Sequence, residues 1–264
     1  MIGTGVPRLV RRIRPLWLRE KLFYHLVLRF SMRSADFDAA SLEFAPPVRM
    51  RLSPTDIGHQ VIAATGFYEL AVSRRIASLA RDGGLFVDVG ANFGYYSCMW
   101  ASARRDNRVI AFEVVPANLA ALQENIDRNA LARQIAVIGE AVGNRSGEAL
   151  FRFGADSQTG QGGVVEHAGA GTISVPMTTL DSRLADSDET IEVLKIDVEG
   201  ADTWVLEGAT QLLAAGRVRH IFFEQFPSRM DELGIGYEAA GHLLAGYGYN
   251  LAEISPGEYY AHIT

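Results

Sequence analysis

Short apolar runs alternate along most of the chain with longer stretches in which apolar positions recur every three or four residues. From Phe86 onward the runs predict strands near 85–89, 108–113, 135–139, 191–197 and 218–224, and the periodic stretches predict helices near 93–104, 116–129, 200–213 and 236–246. Strands alternating with helices in this way give a mostly parallel sheet with helices on both faces, an α/β fold. The final runs, 248–254 and 258–263, predict a closing β-hairpin around Pro256 and Gly257. Between the third and fourth strands, "LFRFGADSQTGQGGVVEHAGAGTISVPMTTL" has β-like ends and a glycine-rich middle, residues 154–171, that suits either a mobile lid or a surface loop.

The first fifty residues differ in kind. Leu9, Ile13, Trp17, Leu22, Leu26 and Phe30 fall at roughly helical intervals with arginines between them, and Pro15 splits the run into two short helices. Residues 1–34 hold eight basic side chains against Glu20 alone, so a chain of net charge −6 consists of a basic extension and a body near −13. The extension suits a helical cap on the domain, a contact with a second subunit in a homo-oligomer, or a peripheral contact with an anionic membrane surface. The acidic body argues against nucleic acid as a partner. The expected organisation is an extension over 1–50 and one catalytic domain over 51–264. With Cys98 as the sole cysteine no internal disulfide can form, and a cytoplasmic location is the expectation.

The chemistry is concentrated around "LFVDVGANFGYYS", residues 85–97, where an apolar strand stops at Asp88 and turns through Gly90 and Gly94. A dinucleotide fingerprint would need glycines where Asn92 and Tyr95 stand, and a strand-end carboxylate would repel a pyrophosphate. The same carboxylate suits a cationic ligand. S-adenosylmethionine (SAM) carries a sulfonium and an ammonium, and a strand, an acid and a glycine turn are the arrangement in which it binds. The next strand ends at Glu113, close to the ~20-residue spacing at which an acid meets ribose hydroxyls. Asp88 and Glu113 would otherwise serve as caps of the helices that follow. Their place at the C-terminal ends of strands favours ligand binding.

These residues, with "GFYE" at 66–69, "FEVVPANLAALQENI" at 112–126, "EAVG" at 140–143, "TTLDS" at 178–182, "VLKIDVEGADTWVLEGA" at 193–209 and "FFEQ" at 222–225, resemble the FkbM family of SAM-dependent methyltransferases. The resemblance implies a Rossmann-like fold with a seven-stranded sheet in the order 3-2-1-4-5-7-6, and O-methylation of a sugar, glycan, polyketide or related hydroxylated product. It implies that Asp88, Gly90, Asn92 and Gly94 surround the methionine part of SAM, that Glu113 holds the ribose, and that Glu140 lies near the adenine. Tyr68 and Glu69 would close over the cofactor carboxylate or face the acceptor.

Transfer to a hydroxyl needs the oxygen aligned, water excluded and a proton removed. Asp197 and Glu224, at strand ends, and His59, upstream of the sheet, are the candidate bases; Asp197 is also expected to touch SAM. A divalent metal such as Mg²⁺ on Asp197 and Glu224 is the other way to lower the acceptor's pKa, although no diagnostic ligand spacing marks one. Lys195 shares a face with Asp197 and is expected to pair with it. Glu199 and Gly200 open a helix, and His167 and His220 read as surface or packing residues. The competing functions are a non-catalytic SAM-binding regulator and an N-methyltransferase, but "IDVEG" stands where amino-methylating enzymes carry an Asn/Asp-Pro-Pro-aromatic motif.

Overall fold

A computed structural model describes residues 10–23, 36–153 and 162–263. Helix α1 (Leu16–Leu22) begins immediately after Pro15, and strands β1 (Ala40–Ser41) and β2 (Arg49–Met50) pair antiparallel. Leu9, Leu26 and Phe30 lie outside the described residues. Helices α2 (Ile57–Thr65) and α3 (Leu70–Leu79) come next, and the sequence pattern predicted neither. The main alternation follows with β3 (Leu85–Val89), α4 (Tyr95–Ala103), β4 (Arg108–Phe112), α5 (Pro116–Arg128) and β5 (Ile135–Ile138).

The insertion forms a sheet of its own from β6 (Ala141–Val142), β7 (Gly147–Arg152), β8 (Gly163–Val165) and β9 (Thr172–Thr178). The lid expectation for 154–171 rests partly on residues 154–161, which lie outside the described set. The chain then continues through α6 (Leu180–Arg183), β10 (Ile191–Ile196), α7 (Asp202–Glu207), α8 (Thr210–Ala214), β11 (Val218–Glu224), α9 (Pro227–Glu232) and α10 (Ala239–Gly246). It closes with the hairpin of β12 (Asn250–Ser255) and β13 (Glu258–His262). The single helix expected over 200–213 is therefore two. Its break is at Gly208, where any Cβ would collide with the Gly143 carbonyl.

The main sheet runs β12-β13-β11-β10-β3-β4-β5. Numbered by chain order within the sheet this is 6-7-5-4-1-2-3, the implied order read from the other edge. The first five strands are parallel; β13 is antiparallel to β11, and β12 to β13. Every residue of β3 is buried, as a central strand covered on both faces must be. One face packs Phe86 and Phe222 against Trp100 and Tyr260, and the other packs Val87, Leu194 and Ile221 against Val205 and Leu244. The first cluster also takes in Ala40, Leu42, Val48 and Met50, so its packing reaches N-terminal of residue 51. Strand addition changes direction between β3 and β10, which opens a crevice at their C-terminal ends. No helix among the described residues is long and apolar enough to cross a membrane.

Candidate functional site

A cavity of about 350 Å³ fills that crevice, within the usual ~300–1,000 Å³ range of small-ligand pockets. Its floor is the loop after β3. There Gly90 has φ of +82°, its amide donates to the Phe112 carbonyl, and a Cβ would run into the Asp197 backbone oxygen. The turn continues through Asn92, a non-glycine residue with φ of +50° whose amide donates to Glu113 Oε2 at 2.8 Å. The buried Asn92 Oδ1 has no hydrogen-bond partner among the described residues. Glu69 and Glu199 also have positive φ, at +41° and +55°. Three such residues around one crevice mark a place where local strain is held by its surroundings.

Tyr68, Gly90, Asn92, Glu113, Glu140, Asp197 and Glu224, all expected at the site, line this cavity. The Glu113 carboxylate accepts from the backbone amides of Asn92, Val114 and Val115, so it joins the β3 and β4 loops as well as facing the cavity. Glu140 is held by both Arg183 Nε and Nη2, at 3.1 and 2.8 Å. Asp197 Oδ2 accepts from Lys195 Nζ at 2.8 Å, the pairing expected from the strand period.

Four expected site residues stand elsewhere. Asp88 is 1% exposed and lies beneath the cavity, where it accepts from Ser97 Oγ at 2.5 Å and faces Lys195 across the β3/β10 register. Burial pushes its carboxyl up to about 6, against the opposing pull of Lys195. Gly94 serves packing: a Cβ there would strike Leu122 of α5. Glu69 turns inward and accepts from Tyr96 Oη at 2.7 Å. His59 is buried, takes the Ser53 amide on Nδ1 at 2.7 Å, and packs its ring against Phe93. An imidazole that accepts on Nδ1 carries its proton on Nε2, which is buried without a hydrogen-bond partner among the described residues, and burial lowers the ring's pKa and favours the neutral form. The divalent-metal expectation also finds no ligand set, since no three His, Cys, Asp or Glu side chains among the described residues are arranged to hold an ion.

The sequence reading passed over much of the roof. The start of α2 contributes Ile57, Gly58 and Val61, while Phe151, Val164 and Phe226 close other sides. Glu199, weighed as a strand-end acid beside Asp197 and Glu224 and as a helix opener, also lines the cavity. Glu258, which no motif marked, lies directly opposite Glu224 across the β11/β13 register.

Carboxyls so crowded hold their protons tightly. Burial first, then Asp197, pushes Glu199 and Glu224 up to about 8 and Asp202 up to about 7; burial and then Glu69 push Glu258 up to about 9. Burial opposes the charge of Lys195, but Asp197, Glu69, Asp88 and Glu258 together raise its pKa. Unfolded carboxyls titrate near pH ~4. Between that value and about 8–9 the folded chain therefore keeps protons that the unfolded chain has lost, and stability falls as pH rises through this window. The urea midpoint is expected to be lower at pH 9 than at pH 6. A midpoint that stays constant would show that these groups ionise freely.

A family model described as "Methyltransferase FkbM domain" matches residues 88–251. Among solved structures, methyltransferase FkbM from Methylobacillus flagellatus KT aligns at 16% identity and a TM-score of 0.48, over 69% of this chain and 44% of that one. The chain thus spans less than half the length of that protein. The SAH-bound Podospora anserina methyltransferase PaMTH1 aligns at 12% identity and a TM-score of 0.44, over 75% and 80%. Precorrin-6y C5,15-methyltransferase from Geobacter metallireducens GS-15 aligns at 11% and 0.40, over 72% and 86%. No curated protein matches the chain significantly.

Proposed function

Because the chain belongs to the FkbM methyltransferase family, whose model matches more than half of it, we propose that it transfers a methyl group from SAM to a hydroxyl of a sugar, glycan, polyketide or related natural product. The observation that carries this reading is the acid-lined cavity at the switch point between β3 and β10. The lining suits SAM: Glu113 and Asp197 present carboxylate oxygens to a cation, protonated Glu199 and Glu224 add polar groups without repelling the cofactor carboxylate, and Asn92 Oδ1, without a partner among the described residues, offers an acceptor to an ammonium or hydroxyl. Asn92, Glu113 and Glu140 would hold the cofactor.

SAM supplies a methyl group already activated by its sulfonium. The chain's own residues must align the acceptor oxygen, keep water out and take the hydroxyl proton. Ile57, Val61 and Phe226 provide apolar cover over the cavity. Asp197 is the group within it suited to receive the proton, and Glu224, which holds its own proton up to about 8, becomes a base only above that pH. Asp197 is anchored by Lys195 on one oxygen, which leaves the other available to the acceptor.

Calorimetry with SAM, followed by detection of S-adenosylhomocysteine with a panel of hydroxylated acceptors, tests the proposal. Failure to bind SAM would refute it, and binding without turnover on any acceptor would favour the regulatory reading. Glu113→Ala is expected to weaken SAM at least tenfold, about 1.4 kcal/mol, since it removes a cavity carboxylate and frees three backbone amides. Wild-type affinity in a folded Glu113→Ala protein would reduce Glu113 to a loop anchor.

A further inference from the structure

Two arginines of the basic N-terminal segment, Arg11 and Arg19, are directed into the protein. Arg19 is 2% exposed; its guanidinium donates to the Ile13 and Thr65 carbonyls and pairs with Glu43 at 2.8 Å. Arg11 donates to the Ile62 and Ala63 carbonyls at 3.1 Å and to Ser41 Oγ at 2.6 Å, and the exposed Arg14 pairs with Glu43 at 2.8 Å. The Ile62, Ala63 and Thr65 carbonyls belong to the last turn of α2, where a cation also offsets the helix dipole. Val10 and Phe23 pack on Val61 and Ala64 of the same helix.

Arg19 thus holds the start of the turn that joins α2 to α3, and its partner Glu43 donates its backbone amide to the Gly66 carbonyl within that turn. That turn carries Gly66 at φ of +92°, Tyr68, which lines the cavity, and Glu69 at φ of +41°. The other end of α2 carries Ile57, Gly58 and Val61 of the cavity roof. Segment and turn both lie outside the family match, which begins at residue 88.

We propose that residues 10–23 are a positioning element for the ligand cavity, in which Arg11 and Arg19 set the Gly66–Glu69 turn and hold Tyr68 in the cavity wall. The proposal rests on the reading that this cavity binds SAM. A segment serving mainly as a membrane-surface helix would leave its arginines to lipid headgroups. Here Arg11, Arg14 and Arg19 are spent on helix carbonyls and on Glu43.

The test uses the full chain with Arg19→Met, Arg11→Met and Arg19→Lys. Arg19→Met and Arg11→Met are expected to weaken SAM roughly threefold to tenfold, and Arg19→Lys, whose ammonium still donates to the Thr65 carbonyl and Glu43, to stay within about twofold of wild type. Hydrogen exchange at residues 62–70 should quicken in the two disruptive variants while exchange in β3 keeps its wild-type rate. If Arg19→Met does not fold, Arg11→Met decides. Lower melting temperatures with unchanged SAM affinity and unchanged exchange at 62–70 would overturn the proposal, leaving the segment a support for the fold alone. Were wild-type protein not to bind SAM, the cofactor reading would fall, and the exchange pattern would still decide the positioning role.

Discussion

Gly90→Ala is expected to abolish measurable SAM binding and to destabilise the protein by several kcal/mol. Two independent effects combine. At φ of +82° any side chain is strained, and the Cβ would overlap the Asp197 carbonyl oxygen, which belongs to backbone and cannot swing aside. Relief requires the ends of β3 and β10 to separate at the one place where the crevice is formed, which displaces the Asn92 turn and Asp197 together. A cost of about 3 kcal/mol lowers the melting temperature by roughly 6–12 °C for a domain of this size. Loss of SAM affinity by roughly 100-fold or more corresponds to about 2.7 kcal/mol of binding energy. Thermal unfolding and calorimetry on the purified variant check both. A protein of wild-type stability that binds SAM normally would show that the loop has room the structure denies it.

The sheet was legible because its central strands are covered on both faces and therefore read as unbroken apolar runs. "LFVDV" and "VLKI" needed no context. The order of the strands came from the family resemblance, since nothing in the spacing says that β10 returns beside β3. Lys195 and Asp197 could be paired from the strand period alone. That Lys195 also faces Asp88 could not, because cross-strand register is a long-range property. An acid at a strand end looks the same in sequence whether it points at a ligand or, like Asp88, into the layer beneath.

The upstream segment was harder for a related reason. Asp56 caps α2 by accepting the His59 amide, but without a partner surface to orient it, "DIGHQVIAAT" shows no obvious polar face. His59 consequently read as a free base when its Nδ1 is already occupied by Ser53. In the same way, a basic amphipathic helix has one composition whether its arginines meet lipid or, as with Arg11 and Arg19, the carbonyls of a neighbouring helix. Glu258 was missed for want of register: the hairpin turn was visible, but not that it sets this side chain opposite Glu224.

Asp197→Asn is expected to lower the rate of methyl transfer by roughly 10²–10⁴ while changing SAM affinity far less. The substitution keeps the shape of the side chain. Its amide oxygen can still accept from Lys195, leaving the amide NH₂ toward the cavity, where a donor cannot take the acceptor's proton. The Lys195 ammonium, 4% exposed, then loses its paired charge, and the loss should cost stability near the lower end of the ~3–5 kcal/mol typical of a broken buried pair, because Asp197 is partly open to the cavity. Assays must therefore be run well below the variant's melting temperature, so that a lower rate reports chemistry and not unfolding. Glu224→Gln is the necessary companion, because Glu224 lines the same cavity and holds its proton up to about 8. If the proton passes to Asp197, Glu224→Gln should change the pH dependence of the rate more than its maximum. A near-wild-type rate for Asp197→Asn together with an inactive Glu224→Gln would transfer the role of base to Glu224. Two active variants would mean that alignment of the acceptor in the cavity suffices for transfer.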